Sequence, residues 1–233
     1  MTPEQKAELR AAFAKHIQRL PGMPGGFPTW HDRNFDLLQR VAAAAGKPNS
    51  LTRNLVEEIV FTDNNGICLL NHGCISYQIN GYNTQHPQNQ KRMPTADDFV
   101  PLVTDLLRIR QSGRSLDSEE YLDFRQRFFR AVDMNLAAAA NRVVVSVFPD
   151  QFATPVVDSQ MRDAYDALEC RGFVPDLDPS SSDLAWFERS SLVVRELRSV
   201  LAGAGFDDAY LSSFVWFAHK YFSERGEIRP QGR

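Results

Sequence analysis

Cys68, His72 and Cys74 are the residues whose types first promise chemistry. They lie within a 21-residue stretch, FTDNNGICLLNHGCISYQING (61–81). Thiolates and an imidazole are zinc ligands, but a zinc site needs four of them in tetrahedral array. The spacing here is Cys-x3-His-x-Cys, which matches no common zinc pattern, and no second ligand pair lies nearby. His86 is the next histidine, isolated in a polar segment. A Cys–His nucleophile needs a contacting pair and a third group to orient the base, and nothing in the stretch marks such a set. Neither a metal nor a cofactor is therefore assigned, and the cysteines read as small apolar residues in a connection. The turn formers say more. Asn65, Gly66, Gly73 and Ser76 shape a turn, because Asn and Gly tolerate positive φ. A hairpin near 66–80 would pair Ile67 and Leu69 or Leu70 with Ile75, Tyr77 and Ile79.

Two further sets could act. Asp158, in PVVDSQMR (155–162), is a carboxylate at the start of a helical pattern, where it either reacts or caps. Lys91, Arg92, Arg125, Arg127, Arg130 and Arg142 form a cationic set interleaved with phenylalanines, a combination that holds nucleic acid by phosphate contacts and stacking. Asp117, Glu119, Glu120 and Asp123 are interspersed among them, so a solvated helix face with internal ion pairs is the competing reading. Trp30, Trp186 and Trp216 read as core anchors.

The elements that position these residues are helical. Thr2-Pro3-Glu4-Gln5 has capping-box form and opens a helix that PGMPGGFP (21–28) stops. Thr29 caps a second helix ending at Gly46, and Ser50 caps a third with Leu51, Leu55 and Ile59 on one stripe. NTQHPQNQKRMP (83–94) is a polar loop. Thr95 and Asp117 open the next two helices, the latter carrying Tyr121, Phe124, Phe128 and Val132 three or four residues apart. Segment 136–148 is Ala-rich helix, with VVVSVF as an alternative buried strand. Further helices start at Asp158-Ser159, at Ser180–Ser182 and at Asp207, with breaks at Gly172, Gly203 and Gly205. The fold class is mostly α: a multi-helix globular domain with at most a small β-hairpin near 66–80. A helical region 1–82, the loop 83–94 and a helical region 95–233 make one composite domain.

Composition bounds the function. The chain has 233 residues, 43% hydrophobic and 24% charged, enough for a core without staples. Net charge is −3, so no overall basic field points to nucleic acid or membrane. Residues 1–93 carry ten Lys/Arg against seven Asp/Glu (+3), and 94–233 carry sixteen against twenty-two (−6). Three cysteines in all make no disulfide framework, and the polar start MTPEQKAELR lacks a signal-peptide core. The expectation is a cytoplasmic protein with no membrane partner.

Three short segments resemble a known family. NGICLLNHGCIS (65–76), VFPDQFATPVVDS (147–159) and the aromatic run Phe214-Val215-Trp216-Phe217 are similar to the N-terminal accessory or recognition regions of McrB-like, methylcytosine-specific restriction proteins. The chain has no GxxxxGK[ST] phosphate loop, so the resemblance implies the recognition part without its GTPase. It implies a bacterial restriction or phage-defence setting, and a non-catalytic adaptor role: binding DNA, or docking a GTPase motor or nuclease subunit. A second resemblance is to helix-hairpin-helix DNA glycosylases. Leu201-Ala-Gly203-Ala-Gly205-Phe-Asp-Asp-Ala209 has their LxGxGxxxA frame, and PVVDSQMR is similar to the segment carrying their catalytic carboxylate. That resemblance implies an enzyme with Asp158 as the catalytic group and Gly203 and Gly205 on a DNA phosphate. In that family, however, the hairpin precedes the carboxylate segment, and here it follows. A structural adaptor without DNA contact is the third possibility.

Overall fold

A computed structural model describes residues 1–19, 27–61, 75–201 and 208–222, and all regular structure among them is helical. The α-helices are α1 (Pro3–Arg19), α2 (Phe27–Gly46), α3 (Arg53–Val60), α4 (Ile75–Gln85) and α5 (Ala96–Gln111), followed by α6 (Ser118–Val132), α7 (Ala137–Val147), α8 (Asp158–Glu169), α9 (Ala185–Leu201) and α10 (Asp208–Phe222). No helix among the described residues is long and apolar enough to cross a membrane.

Local chemistry sets many of the boundaries. At α1 the Thr2 hydroxyl accepts from the Gln5 N–H at 3.2 Å while the Gln5 side chain accepts from the Thr2 N–H at 2.7 Å, the reciprocal box the sequence predicts. At α6, Glu120 N–H donates to Asp117 at 2.8 Å and Asp117 N–H to Glu120 at 3.2 Å. Thr95 N–H donates to Asp98 at 2.8 Å ahead of α5. The start of α3 differs from expectation. Thr52 caps it, accepting from Leu55 N–H at 3.3 Å, and Ser50 instead closes a 3-10 turn, Pro48–Ser50. Likewise α2 begins at Phe27, two residues before Thr29.

Two ambiguous segments resolve as helix. Residues 137–147 are α7, not a strand, and 75–85 are α4. The second strand of the expected hairpin is therefore absent: Ile75 and Ile79, four apart, are both buried on one helix face. A spacing of four satisfies a strand period of two as well as a helical turn, so the pattern alone does not separate them. Residues 62–74, with Asn65, Gly66, Gly73, Cys68, His72 and Cys74, lie outside the described residues, as do Gly203, Gly205 and the cap expected at Asp207. The polar loop starts only after Gln85. Asn83 fixes it, donating to Lys91 C=O at 3.0 Å and accepting Lys91 N–H at 2.7 Å.

Packing centres on α7. It touches α2, α3, α5 and α6, and all its residues from Ala139 to Val147 are buried. Beside this group α8, α9 and α10 pack together, with α1 laid against α9 and α10, and α2 touching α10. The buried apolar side chains form one cluster, each full Leu, Val or Phe burial contributing roughly 1.5–3 kcal/mol.

α8 ends as the sequence predicts, on Gly172 with φ 67°. Phe173 N–H closes the cap on Leu168 C=O at 2.9 Å. A methyl on Gly172 would run into the Gln5 amide, whose nitrogen donates to Arg171 C=O at 3.1 Å. Gly113 has the same backbone sign, φ 74°, with open space around it. Gly113→Ala should lose only the left-handed strain, about 1 kcal/mol. Gly172→Ala should lose the same strain and a little more, about 1–1.5 kcal/mol in all, because the exposed Gln5 amide must swing aside. Urea midpoints with unchanged slope measure both.

Candidate functional site

The segment from Phe148 to Val157 joins α7 to α8 without regular structure, yet Phe148, Pro149 and Phe152 to Val156 are buried. Buried irregular backbone must find partners outside itself, and two helices provide them, with a third bracing one of the partners. Asn141 of α7 donates its amide to Val156 C=O at 2.9 Å and accepts the Tyr121 hydroxyl of α6 at 2.7 Å. The Trp186 indole N–H of α9 donates to Pro155 C=O at 2.7 Å. Ser190, one turn further, accepts Ala153 N–H at 2.7 Å. Gln151 takes Leu116 N–H at 2.8 Å and donates to its C=O at 2.6 Å. Phe152 stacks on Trp186 with centroids 5.5 Å apart and meets Phe187 at 5.1 Å.

The strap delivers Asp158 to the first position of α8. The side chain does not cap the helix, contrary to the capping reading; it reaches sideways to Arg189 of α9 at 3.7 Å. Arg125 of α6 lies over Phe129, 5.2 Å from its centroid, and donates to Asp183 C=O at 2.5 Å, with the Asp183 carboxylate at 3.3 Å. The Tyr121 phenol is pushed up by burial; Arg125 pulls the other way, and the charges of Asp158 and Asp183 raise it further. It stays protonated and serves as a buried donor to Asn141.

The structure brings together Asp158 and Arg125 of the sequence-predicted residues, around Tyr121, and disperses the rest. Lys91 pairs with Asp133 at 2.5 Å, and Arg127 bridges Asp105 at 2.8 Å and Asp123 at 3.3 Å. Arg92 and Arg130 are exposed. Arg142 is 1% exposed and donates to Glu58 C=O at 3.1 Å, so it is a core residue rather than a surface cation. Ser76 falls in α4. No group of three or more metal-ligating side chains occurs among the described residues.

No protein-family model, curated protein or solved structure matches this chain.

From the sequence, Tyr121 and Trp186 stand out only as core aromatics, and Asn141, Asp183, Arg189 and Ser190 do not stand out at all. One signal exists: Asn141-Arg142 interrupts the apolar run AAAANRVVVSV, and polar groups in such a run need buried partners. Asn141→Ala should strand both the Tyr121 hydroxyl and the Val156 carbonyl and lose roughly 2–4 kcal/mol. Tyr121→Phe removes one bond and should lose about 1 kcal/mol. Thermal or urea unfolding of the two variants gives the comparison.

Proposed function

We propose that this chain is a non-catalytic partner-docking module of a bacterial restriction or phage-defence system, binding a protein rather than DNA. The setting rests on the resemblance of 65–76, 147–159 and 214–217 to McrB-like recognition regions. The choice of partner rests on the polarity of three ion pairs, those of Asp183, Asp158 and Asp133. In Arg125–Asp183 the side chains are 12% and 70% exposed, in Arg189–Asp158 15% and 53%, and in Lys91–Asp133 30% and 84%. Each cation lies inside and each carboxylate outside. A DNA backbone approaching these faces meets negative charge first, which opposes phosphate binding.

The glycosylase reading gains less support. Asp158 is engaged with Arg189 at 3.7 Å, and the phenol beside it acts as a fixed donor to Asn141.

Co-expression with a GTPase motor or nuclease subunit of a McrB-like system should yield a stoichiometric complex. Asp158→Lys with Asp183→Lys should weaken it at least tenfold, a loss of roughly 1.4 kcal/mol. Duplex DNA titrated at low ionic strength should give no salt-dependent anisotropy change. DNA binding that falls steeply with salt and is lost in Arg92→Glu with Arg130→Glu overturns the protein-partner reading. Release of a free base from modified DNA, abolished by Asp158→Asn, overturns the non-catalytic one.

A further inference from the structure

α1 meets its packing partners, α9 and α10, at the far end of the chain. Its outer contacts are modest. Gln5 donates to Arg171 C=O at 3.1 Å, Glu8 lies 3.6 Å from the Arg171 guanidinium, and Arg10 donates to Val200 C=O at 3.2 Å. Exposed polar contacts such as the first two hold little. The attachment is concentrated in Leu9, Phe13 and His16, all buried. Phe13 meets Phe214 edge-on at 5.4 Å. The His16 ring sits between Phe214 at 5.6 Å and Phe217 at 5.9 Å, with Nδ1 2.6 Å from the Tyr221 hydroxyl.

His16 is thus a fully buried titratable group in the centre of a helix–helix contact. Tyr221 faces it directly; Lys220 lies over Phe217 at 4.8 Å, and the charge of Arg19 bears on the Tyr221 phenol. α9 meets α1 nearer its start, at Arg10. An imidazolium here would carry charge out of water into the middle of the helix contact, a desolvation cost that the neutral ring avoids.

We propose that α1 is an acid-released clasp: protonation of His16 undocks this helix from α9 and α10 while the helices around α7 stay folded. Burial pushes the imidazole down from 6.5 to about 4. A depressed histidine binds fewer protons folded than unfolded, so its contribution is complete above about pH 6.5 and is lost as pH falls towards 4. By pH 4 the linkage weakens docking by about 150-fold. Tyr121, Asn141 and the strap do not depend on this proton, so the release is local.

Hydrogen exchange of the full chain, corrected for intrinsic rates, tests the clasp between pH 7 and pH 4. Protection of α1 should fall by up to about 150-fold while that of α7 is retained. His16→Lys should release α1 already at neutral pH, and His16→Phe should hold it down to the pH at which α7 itself opens. Loss of α1 and α7 together at one pH, or the same α1 loss in His16→Phe as in the wild type, overturns the proposal. If His16→Phe does not fold, the wild-type imidazole titration followed by NMR decides. A midpoint near 4 coincident with loss of α1 protection supports the clasp, and a midpoint near 6.5 with α1 still protected overturns it.

Discussion

Burying the irregular segment between α7 and α8 imposes a demand for hydrogen bonds that shapes the helices around it. A helix satisfies its own backbone; a buried strap cannot. The carbonyls of Pro155 and Val156 and the N–H of Ala153 therefore reach side chains on α9 and α7. Tyr121 completes the arrangement from α6 by occupying the Asn141 carbonyl. Because one amide serves two partners, α6, α7 and the strap are held in one mutual geometry. Gln151, bonded both ways to the Leu116 backbone, fixes the other end of the strap just before α6. The rigid start of α8, and with it the position of Asp158, follows from this network.

The charge arrangement above the strap has a simple physical origin. Arginine and lysine lay long apolar stems along the protein and can sink into a surface, whereas the short aspartate stays at the rim. Arg125 illustrates this: it covers the Phe129 ring with its guanidinium and meets Asp183 from below. Counting basic residues in the sequence thus overstates the positive field that a ligand meets. Of the six cations read as nucleic-acid contacts, Lys91, Arg125 and Arg127 are committed to carboxylates and Arg142 to a backbone carbonyl. Seen from solvent, the Lys91–Asp133 and Arg125–Asp183 pairs present mainly their acidic members.

What the sequence reveals depends on the range of the interaction. Capping boxes at Thr2, Thr95 and Asp117 are contained within four residues, and their chemistry can be read directly. The glycine at the end of α8 is equally local. Expectation and structure part where one spacing fits two periods, as at Ile75 and Ile79, or where several cap formers stand close together, as at Ser50 and Thr52. The candidate site is least legible because its key acceptors are backbone carbonyls, which no residue type announces. Tyr121 and Trp186 reveal only their apolar bodies, and their polar ends acquire meaning when the strap arrives. His16 is equally opaque, since its partner Tyr221 is 205 residues away.

Asn141 and Arg142 together explain why α7 is not simply a greasy rod. Its other buried residues are alanines, valines and one serine, and such a helix could rotate or slide among its neighbours with little change in apolar contact. Successive residues on a helix point about 100° apart. Asn141 is tied to α6 and the strap, while Arg142 is tied to the Glu58 carbonyl of α3. Glu58 uses its carboxylate at the same time, taking both terminal nitrogens of Arg40 on α2 at 2.6 Å. Two adjacent polar side chains thus fix the rotation and height of α7 against three elements, α6, the strap and α3. Burying an arginine costs desolvation that apolar packing would avoid; what it contributes here is registry. A helix registered in this way transmits the strap's geometry to α2 and α3, so that the face carrying Asp158 and Asp183 is a property of the whole bundle rather than of one loop.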